Sequence, residues 1–239
     1  SDTIFEPVPH WAKIPHGVWL KEATSVAVDK DDNVFVFNRG NKPMLVFDPD
    51  GNVIDMWGND NPSDDVRISR DPYGNAMQFW NTWFNRPHAV TIDHEGNVWV
   101  VDDNGQQIHK MSKSGEFLMS IGSGEAAPKQ SGKMFNRPTD VAISKKTGEI
   151  FITDGYDNSR IHRFDAQGKL MMSWGVIGTD PGEFNVPHNL ALIDDEEVAV
   201  CDRENYRVQV FSLDGEFKRQ WMVHKACAIE VTGTGDDVR

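Results

Sequence analysis

The amino-acid sequence predicts an all-β protein, a β-propeller with four complete four-stranded blades and the start of a fifth. The first observation behind this prediction is a repeat: Phe-Asn-x-Pro begins at Phe84, Phe135 and Phe184, spaced by 51 and then 49 residues. The second is that each copy continues into short β-branched or aromatic runs with a period of two, joined by Asp-Gly and Ser-Gly turns. A helical solenoid would need a period of about 3.6 residues, which these runs lack.

The repeats place the blades at residues 24–58, 88–122, 139–175 and 188–221, with an incomplete blade at 227–239, in a single domain of residues 1–239. In each blade the first run starts after the repeated proline or at the equivalent position, and three further runs follow in antiparallel order. Residues 59–83 form a longer connection that ends in aromatic residues, so we expect a surface insertion between the first two blades.

Composition excludes several classes of function. A chain of 239 residues with 38% hydrophobic residues is long enough for one sizeable core. The net charge of −13 argues strongly against a nucleic-acid partner, which needs a basic face. No apolar run approaches the ~20 residues of a membrane span. Two cysteines, Cys201 and Cys227, could form one bridge, but two free thiols are favoured.

The meander brings particular residues to one end of the predicted propeller. The first strand of a blade lies innermost, and the second strand returns antiparallel to the same face of the disc. The first residue of strand one and the last residues of strand two should therefore lie at one mouth. This set contains Arg39, His88, Tyr156, His188 and Arg203.

The first residue of strand one alternates between histidine and threonine: His88, Thr139 and His188. Alternate blades of a six-bladed ring stand 120° apart, which suits a metal held by three protein ligands and one open position, as in catalytic zinc sites. We therefore expect the blades to belong to a six-bladed ring with zinc near its axis. A proline-histidine pair is also compatible with simple packing of a strand start, and this alternative stays open.

Three motifs resemble peptidyl-α-hydroxyglycine α-amidating lyase, a six-bladed propeller of NHL-type repeats. They are Asp154-Gly-Tyr-Asp-Asn-Ser-Arg160, Val186-Pro-His-Asn-Leu-Ala-Leu192 and Cys201-Asp-Arg-Glu-Asn-Tyr-Arg-Val-Gln-Val-Phe211, within a match that runs from about Thr24 to Phe211. The resemblance implies a lyase that splits a peptide ending in α-hydroxyglycine into a peptide amide and glyoxylate. It also implies a secreted or periplasmic location, which cysteine usage does not itself favour.

The resemblance assigns roles to individual residues. Two of the family's three zinc histidines match His88 and His188, and the catalytic tyrosine matches Tyr156. The active-site arginines match Arg39 and Arg203, and a structural Ca²⁺ is bound by backbone carbonyls that match Val26 and Val90. A tyrosinate suits removal of the hydroxyl proton, and arginine suits a substrate carboxylate.

The sequence also departs from the family pattern. The third zinc histidine lies in a part of the family that has no counterpart here, so we expect ring closure by a missing C-terminal blade or a second chain. The positions of one family disulfide hold Asn136 and Asp157, and those of the other hold Ala199 and Val210.

Two alternatives to the lyase stay open at the level of sequence. One is a non-catalytic NHL propeller that binds a peptide or protein at the same mouth. The other is a calcium-dependent propeller hydrolase of the gluconolactonase type. Its cation would be held by carboxylates at the ends of the second strands: Asp102, Asp103, Asp154 and Asp202.

Overall fold

The computed structural model describes residues 6–59, 66–70, 76–80 and 82–232, with the backbone alone for 66–70 and 76–80. These residues form 18 strands and one short 3₁₀ helix, Arg203–Asn205, so the prediction of a nearly all-β fold is confirmed. The chain divides into two compact units, Ser1–Trp83 and Phe84–Arg239. A single domain of residues 1–239 stays a prediction. Within the described part of the chain, no helix has the length and apolarity needed to span a membrane.

The first unit contains one four-stranded antiparallel sheet in sequence order. Its strands are β1 (Ala23–Val28), β2 (Val34–Asn38), β3 (Met44–Phe47) and β4 (Val53–Trp57). The predicted surface insertion contains a hairpin, β5 (Val66–Arg70) and β6 (Ala76–Trp80). At its end Trp83 stacks on Trp57 of the sheet, with ring centroids 6.3 Å apart.

The second unit contains three four-stranded antiparallel sheets, each again in sequence order. The first has β7 (Pro87–Ile92), β8 (Val98–Asp102), β9 (Gln107–Met111) and β10 (Phe117–Ile121). The second has β11 (Asp140–Ile143), β12 (Ile150–Asp154), β13 (Arg160–Phe164) and β14 (Leu170–Trp174). The third has β15 (Pro187–Ile193), β16 (Glu197–Asp202), β17 (Arg207–Ser212) and β18 (Phe217–Met222). The four predicted four-stranded blades are therefore confirmed.

Successive sheets of the second unit pack face to face through apolar side chains, and the first strand β11 lies beside both β7 and β15. One buried cluster joins the first two sheets and includes Trp99, Phe135 and Ile152. A second joins the next two and includes Phe151, Phe184 and Phe211. Burial of such clusters is the main favourable term for this fold, and it places the first strands of three sheets side by side.

In the second unit, an aspartate at the end of the second strand of each sheet fixes the repeated Phe-Asn-x-Pro segment. Its carboxylate accepts a backbone N–H from the asparagine of that segment, in the pairs Asp102–Asn85, Asp154–Asn136 and Asp202–Asn185. The N···O distances are 2.6, 2.9 and 2.7 Å. A charged acceptor makes these stronger than neutral hydrogen bonds. They hold the start of strand one at the same edge as the end of strand two.

The predicted first strand of a fifth blade, Ala226–Val231, is not a strand in the described residues. The segment instead runs irregularly along β15, where the backbone N–H of Ile229 donates to Oδ1 of Asn189 at 2.7 Å. Ala226 and Ile229 pack against the apolar side chains of the last sheet. A strand needs a ladder of backbone hydrogen bonds, and here a side-chain contact takes its place. The turn expected at residues 232–236 lies almost wholly outside the described residues.

Candidate functional site

Three predicted residues converge at one edge of the second unit. The hydroxyl of Tyr156 lies 2.9 Å from Nε2 of His88 and 3.2 Å from Nε2 of His188. The two imidazole centroids are 5.1 Å apart. The histidines begin the first strands of two sheets, and the tyrosine follows the second strand of the sheet between them. The structure thus brings together three side chains that are 32 and 68 residues apart along the chain.

Backbone carbonyls fix the orientation of both imidazoles. Nδ1 of His88 lies 2.7 Å from the carbonyl oxygen of Thr139, and Nδ1 of His188 lies 2.8 Å from that of Cys227. A carbonyl oxygen can only accept, so each Nδ1 carries the proton and each neutral ring presents a lone pair at Nε2. Both lone pairs point at the same phenol oxygen.

This arrangement fits a cation. One phenol O–H can donate to one Nε2, so the other Nε2 lone pair faces an oxygen lone pair unless positive charge is present. Imidazoles held at Nδ1 by a carbonyl are the usual form of histidine ligands to zinc. Among the described residues, however, no group of three or more His, Cys, Asp or Glu is close enough to hold a metal. His88 and His188 are therefore a fitting but partial ligand set.

Guanidinium groups surround the ring of Tyr156. The guanidinium carbon of Arg203 lies 5.7 Å from the ring centroid, and its Nε pairs with Glu204 at 3.0 Å. That of Arg137 lies closer, at 4.3 Å. Sequence reasoning selected Arg203 and missed Arg137. The available signal was its place in the repeat, where Phe84 and Phe135 are followed by Asn-Arg-Pro but Phe184 by Asn-Val-Pro.

The remaining predicted residues are described within their own units. Arg39 follows β2 in the first unit and pairs with Glu22 at 3.0 Å. Val26 is exposed in β1, whereas Val90 is buried in β7 of the second unit. Calcium at the carbonyls of Val26 and Val90, and a role for Arg39, stay predictions.

Burial sets the electrostatics of the site. It lowers the pKa of His188, with Arg203 adding to the effect while the hydrogen bond to Cys227 and the charge of Glu204 oppose it. A lowered pKa keeps the imidazole neutral and its Nε2 able to bind a cation. Burial also raises the pKa of Asp102 and Asp202.

The carboxylates proposed for a calcium-dependent hydrolase are used by the protein itself. Asp102, Asp154 and Asp202 accept backbone N–H groups, as described above. Asp103 is buried and pairs with Arg86 and Arg137. Calcium needs six to eight oxygen ligands, so this use of the carboxylates disfavours the hydrolase hypothesis.

Comparison with known proteins agrees with the resemblance seen in the motifs. The NHL repeat family matches residues 135–164 and 184–211. The probable peptidyl-alpha-hydroxyglycine alpha-amidating lyase of Caenorhabditis elegans is 47% identical over 54% of this chain and 37% of its own length. The peptidylglycine alpha-amidating monooxygenase of Rattus norvegicus is 36% identical over 85% of this chain and 22% of its own length. The chain thus spans well under half of either relative.

A solved structure shows the same fold at low sequence identity. Virginiamycin B lyase from Staphylococcus aureus superposes with a TM-score of 0.52 at 14% identity, over 90% of this chain and 75% of that one. Such a likeness shows the fold alone. The relatives named above carry the likeness beyond the fold: the chain contains NHL repeats and is similar in sequence to a peptidyl-α-hydroxyglycine α-amidating lyase and to a peptidylglycine α-amidating monooxygenase.

Proposed function

We propose that this chain is part of a zinc-dependent lyase that cleaves a peptidyl-α-hydroxyglycine to a peptide amide and glyoxylate. The observation that carries the proposal is the phenol oxygen of Tyr156 held within 2.9 and 3.2 Å of two imidazole Nε2 atoms. The names of the relatives support the reaction class. The substrate would be a peptide with a C-terminal α-hydroxyglycine.

Tyr156 is the proposed base. In its deprotonated tyrosinate form its oxygen takes the proton from the substrate's hydroxyl, the C–O bond becomes a carbonyl, and the C–N bond breaks with its electron pair moving to nitrogen. The same phenol then returns the proton to nitrogen, which completes the peptide amide and leaves glyoxylate. Proton transfer by a positioned side chain typically contributes ~10²–10⁴-fold to the rate.

The neighbouring residues hold the reacting groups. His88 and His188 would hold the zinc, which when bound supplies a Lewis acid for substrate oxygen. Arg203, half-buried beside the ring of Tyr156, would bind the substrate carboxylate through its guanidinium. The carbonyls of Thr139 and Cys227 keep each imidazole in the tautomer that can bind zinc.

The test is a pair of tyrosine variants. Tyr156→Phe should reduce glyoxylate release from an α-hydroxyglycine peptide by ~10²–10⁴-fold while substrate affinity changes little. Tyr206→Phe is the matched control, because Tyr206 is half exposed and its ring lies beside His224. His188→Ala should lose zinc and turnover together. Undiminished turnover in Tyr156→Phe would refute the proposed base, and substrate binding without turnover in the wild type would favour a non-catalytic peptide-binding propeller.

Ring closure is a second part of the proposal. Val26 and Val28 of β1 are 60% and 57% exposed, whereas the equivalents of Val26, which are Val141 of β11 and Leu190 of β15, are 2% and 4% exposed. In the second unit such residues are covered by the preceding sheet. We propose that a further blade of the longer protein covers Val26 and Val28. Joining the corresponding C-terminal segment of a relative should raise the melting temperature, and an unchanged value would contradict it.

A further inference from the structure

The guanidinium group of Arg137 lies against the ring of Tyr156, the proposed base. We propose that Arg137 is a positioning residue, which holds the ring of Tyr156 so that its hydroxyl reaches both imidazoles. The expected effect on catalysis rests on the proposed function. The positioning of the Tyr156 ring rests on the contacts of Arg137 described below.

Arg137 contacts Tyr156 at two points. Its carbonyl oxygen accepts the backbone N–H of Tyr156 at 3.3 Å, and its guanidinium carbon lies 4.3 Å from the centre of the tyrosine ring. Attraction between a cation and the face of an aromatic ring favours this arrangement. One residue thus fixes both the backbone and the ring of the proposed base.

Arg137 is itself held by two residues. One guanidinium nitrogen donates to Oδ2 of Asp103 at 3.3 Å, and the same oxygen pairs with Arg86. The backbone N–H of Arg137 donates to Oε1 of Gln106 at 2.7 Å. Asp103 and Gln106 are both buried, so these anchors belong to the packed interior. A planar guanidinium can lie flat against a ring while its edge donates to a carboxylate, a geometry that the compact ammonium group of lysine does not offer.

The positive φ at this position recurs in the following copy, whereas the arginine recurs in the preceding copy as Arg86 and is replaced in the following one by Val186. Arg137 has φ of +63°, and the equivalent Val186 has φ of +58°. Valine offers neither a stack nor a charge. The arginine occurs in the copy whose second strand leads into Tyr156. Its Nε is buried and has no hydrogen-bond partner among the described residues. The ion pair with Asp103 and the contact with the ring of Tyr156 are the two interactions that hold this guanidinium.

The consequence is specific to the chemical step. Misplacing a reacting group by about 1 Å can cost ~10²-fold in rate. Arg137→Gln should therefore lower kcat by ~10–10²-fold with little change in KM. Arg137→Lys, which keeps the charge but not the planar group, should recover only part of that loss. Arg219→Gln is the charge-matched control, because Arg219 lies on the outer strand β18 and pairs with Glu197.

A double-mutant cycle separates positioning from other roles. If Arg137 acts through the hydroxyl of Tyr156, Arg137→Gln should cause no further loss in a Tyr156→Phe background. Equal losses in both backgrounds would overturn the proposal. A rise in KM alone would also overturn it, because Arg137 would then contact substrate. So would a lower melting temperature with unchanged kcat, since that result indicates a purely structural role.

A measurement that needs no turnover completes the test. The chain has three tyrosines, so labelling with 3-fluorotyrosine gives three ¹⁹F resonances, and Tyr156→Phe identifies the relevant one. Arg137→Gln should move that resonance towards the value of the unfolded chain, while Arg219→Gln should leave it in place. An unmoved resonance in Arg137→Gln overturns the proposal. If the wild type releases no glyoxylate, the proposed function fails while this spectrum still decides the role of Arg137.

Discussion

The buried carboxyl of Asp140 should make the stability of the fold depend on pH. Asp140 follows Thr139 on β11, and its Oδ2 accepts hydrogen bonds from the side chain of Asn189 and the backbone N–H of Leu190 on β15. Burial raises its pKa to about 7 from an ordinary value of 3.8, and the charge of Glu230 adds to the effect. The folded protein therefore holds this proton more tightly than the unfolded chain.

The sign of the effect follows from linkage. Between about pH 4 and pH 7 the folded state binds more protons at Asp140 than the unfolded state, so the free energy of unfolding falls as pH rises. The stabilisation is fully present below the ordinary pKa of 3.8 and is lost as pH rises through about 7. A shift of about three pKa units corresponds to ~4 kcal/mol, of which ~3 kcal/mol falls between pH 4.5 and pH 8.

Asp140→Asn tests this directly. The amide oxygen can still accept a hydrogen bond from β15 but carries no charge at any pH. In urea denaturation, the stability of the variant relative to wild type should improve by ~3 kcal/mol between pH 4.5 and pH 8. Asp214→Asn removes an exposed carboxylate that pairs with Arg163 and serves as the control. A stability difference between Asp140→Asn and wild type that stays constant over this range would refute the reasoning.

Three further outcomes are expected. A Cβ at Gly155 would lie 1.9 Å from the carbonyl oxygen of Pro187, the residue before His188. Gly155→Ala should therefore lower the melting temperature and the zinc affinity together, and an unchanged zinc affinity would contradict this. Phe184→Ala removes a fully buried ring and should lower the free energy of unfolding in denaturant by ~3–5 kcal/mol. Phe217 is partly exposed, so Phe217→Ala should lower it clearly less. Equal losses would argue against the buried cluster. Because burial lowers the pKa of His188 below its ordinary value of 6.5, zinc titrations should show binding retained at pH 6.5 and lost only at lower pH; loss of zinc already complete above pH 6.5 would contradict it.

Much of the fold could be predicted because each copy of the repeat contains the sequence patterns of its strands and turns. Period-two runs between Asp-Gly turns define strands, and the antiparallel meander fixes which strand ends share an edge. From that rule alone His88, Tyr156 and His188 were expected at one mouth, where the structure brings them together. The strand order decides at which edge of the sheets these residues lie, and short-range sequence patterns are enough to predict that order.

The parts that could not be predicted depend on contacts between distant residues. Arg137 lies against the ring of Tyr156 while its guanidinium pairs with Asp103, which follows a strand of another sheet. The period-two run at Ala226–Val231 predicts a strand, but the segment meets β15 through the side chain of Asn189 instead of a backbone ladder. The period-two pattern of a segment does not show whether a neighbouring strand is available for backbone pairing.

His88, Thr139 and His188 occupy equivalent positions at the starts of the first strands of three sheets. This equivalence has a consequence for how the chemistry of the site could change in evolution. The two flanking copies contribute imidazoles, and the copy between them contributes a hydroxyl at Thr139, which donates to the carbonyl of Pro187 at 2.8 Å. The carbonyl of Thr139 serves as the acceptor for His88 whatever its side chain. Duplicated units therefore share one backbone scaffold that tolerates different side chains, so functional groups can be exchanged one copy at a time while the sheets that carry them stay the same.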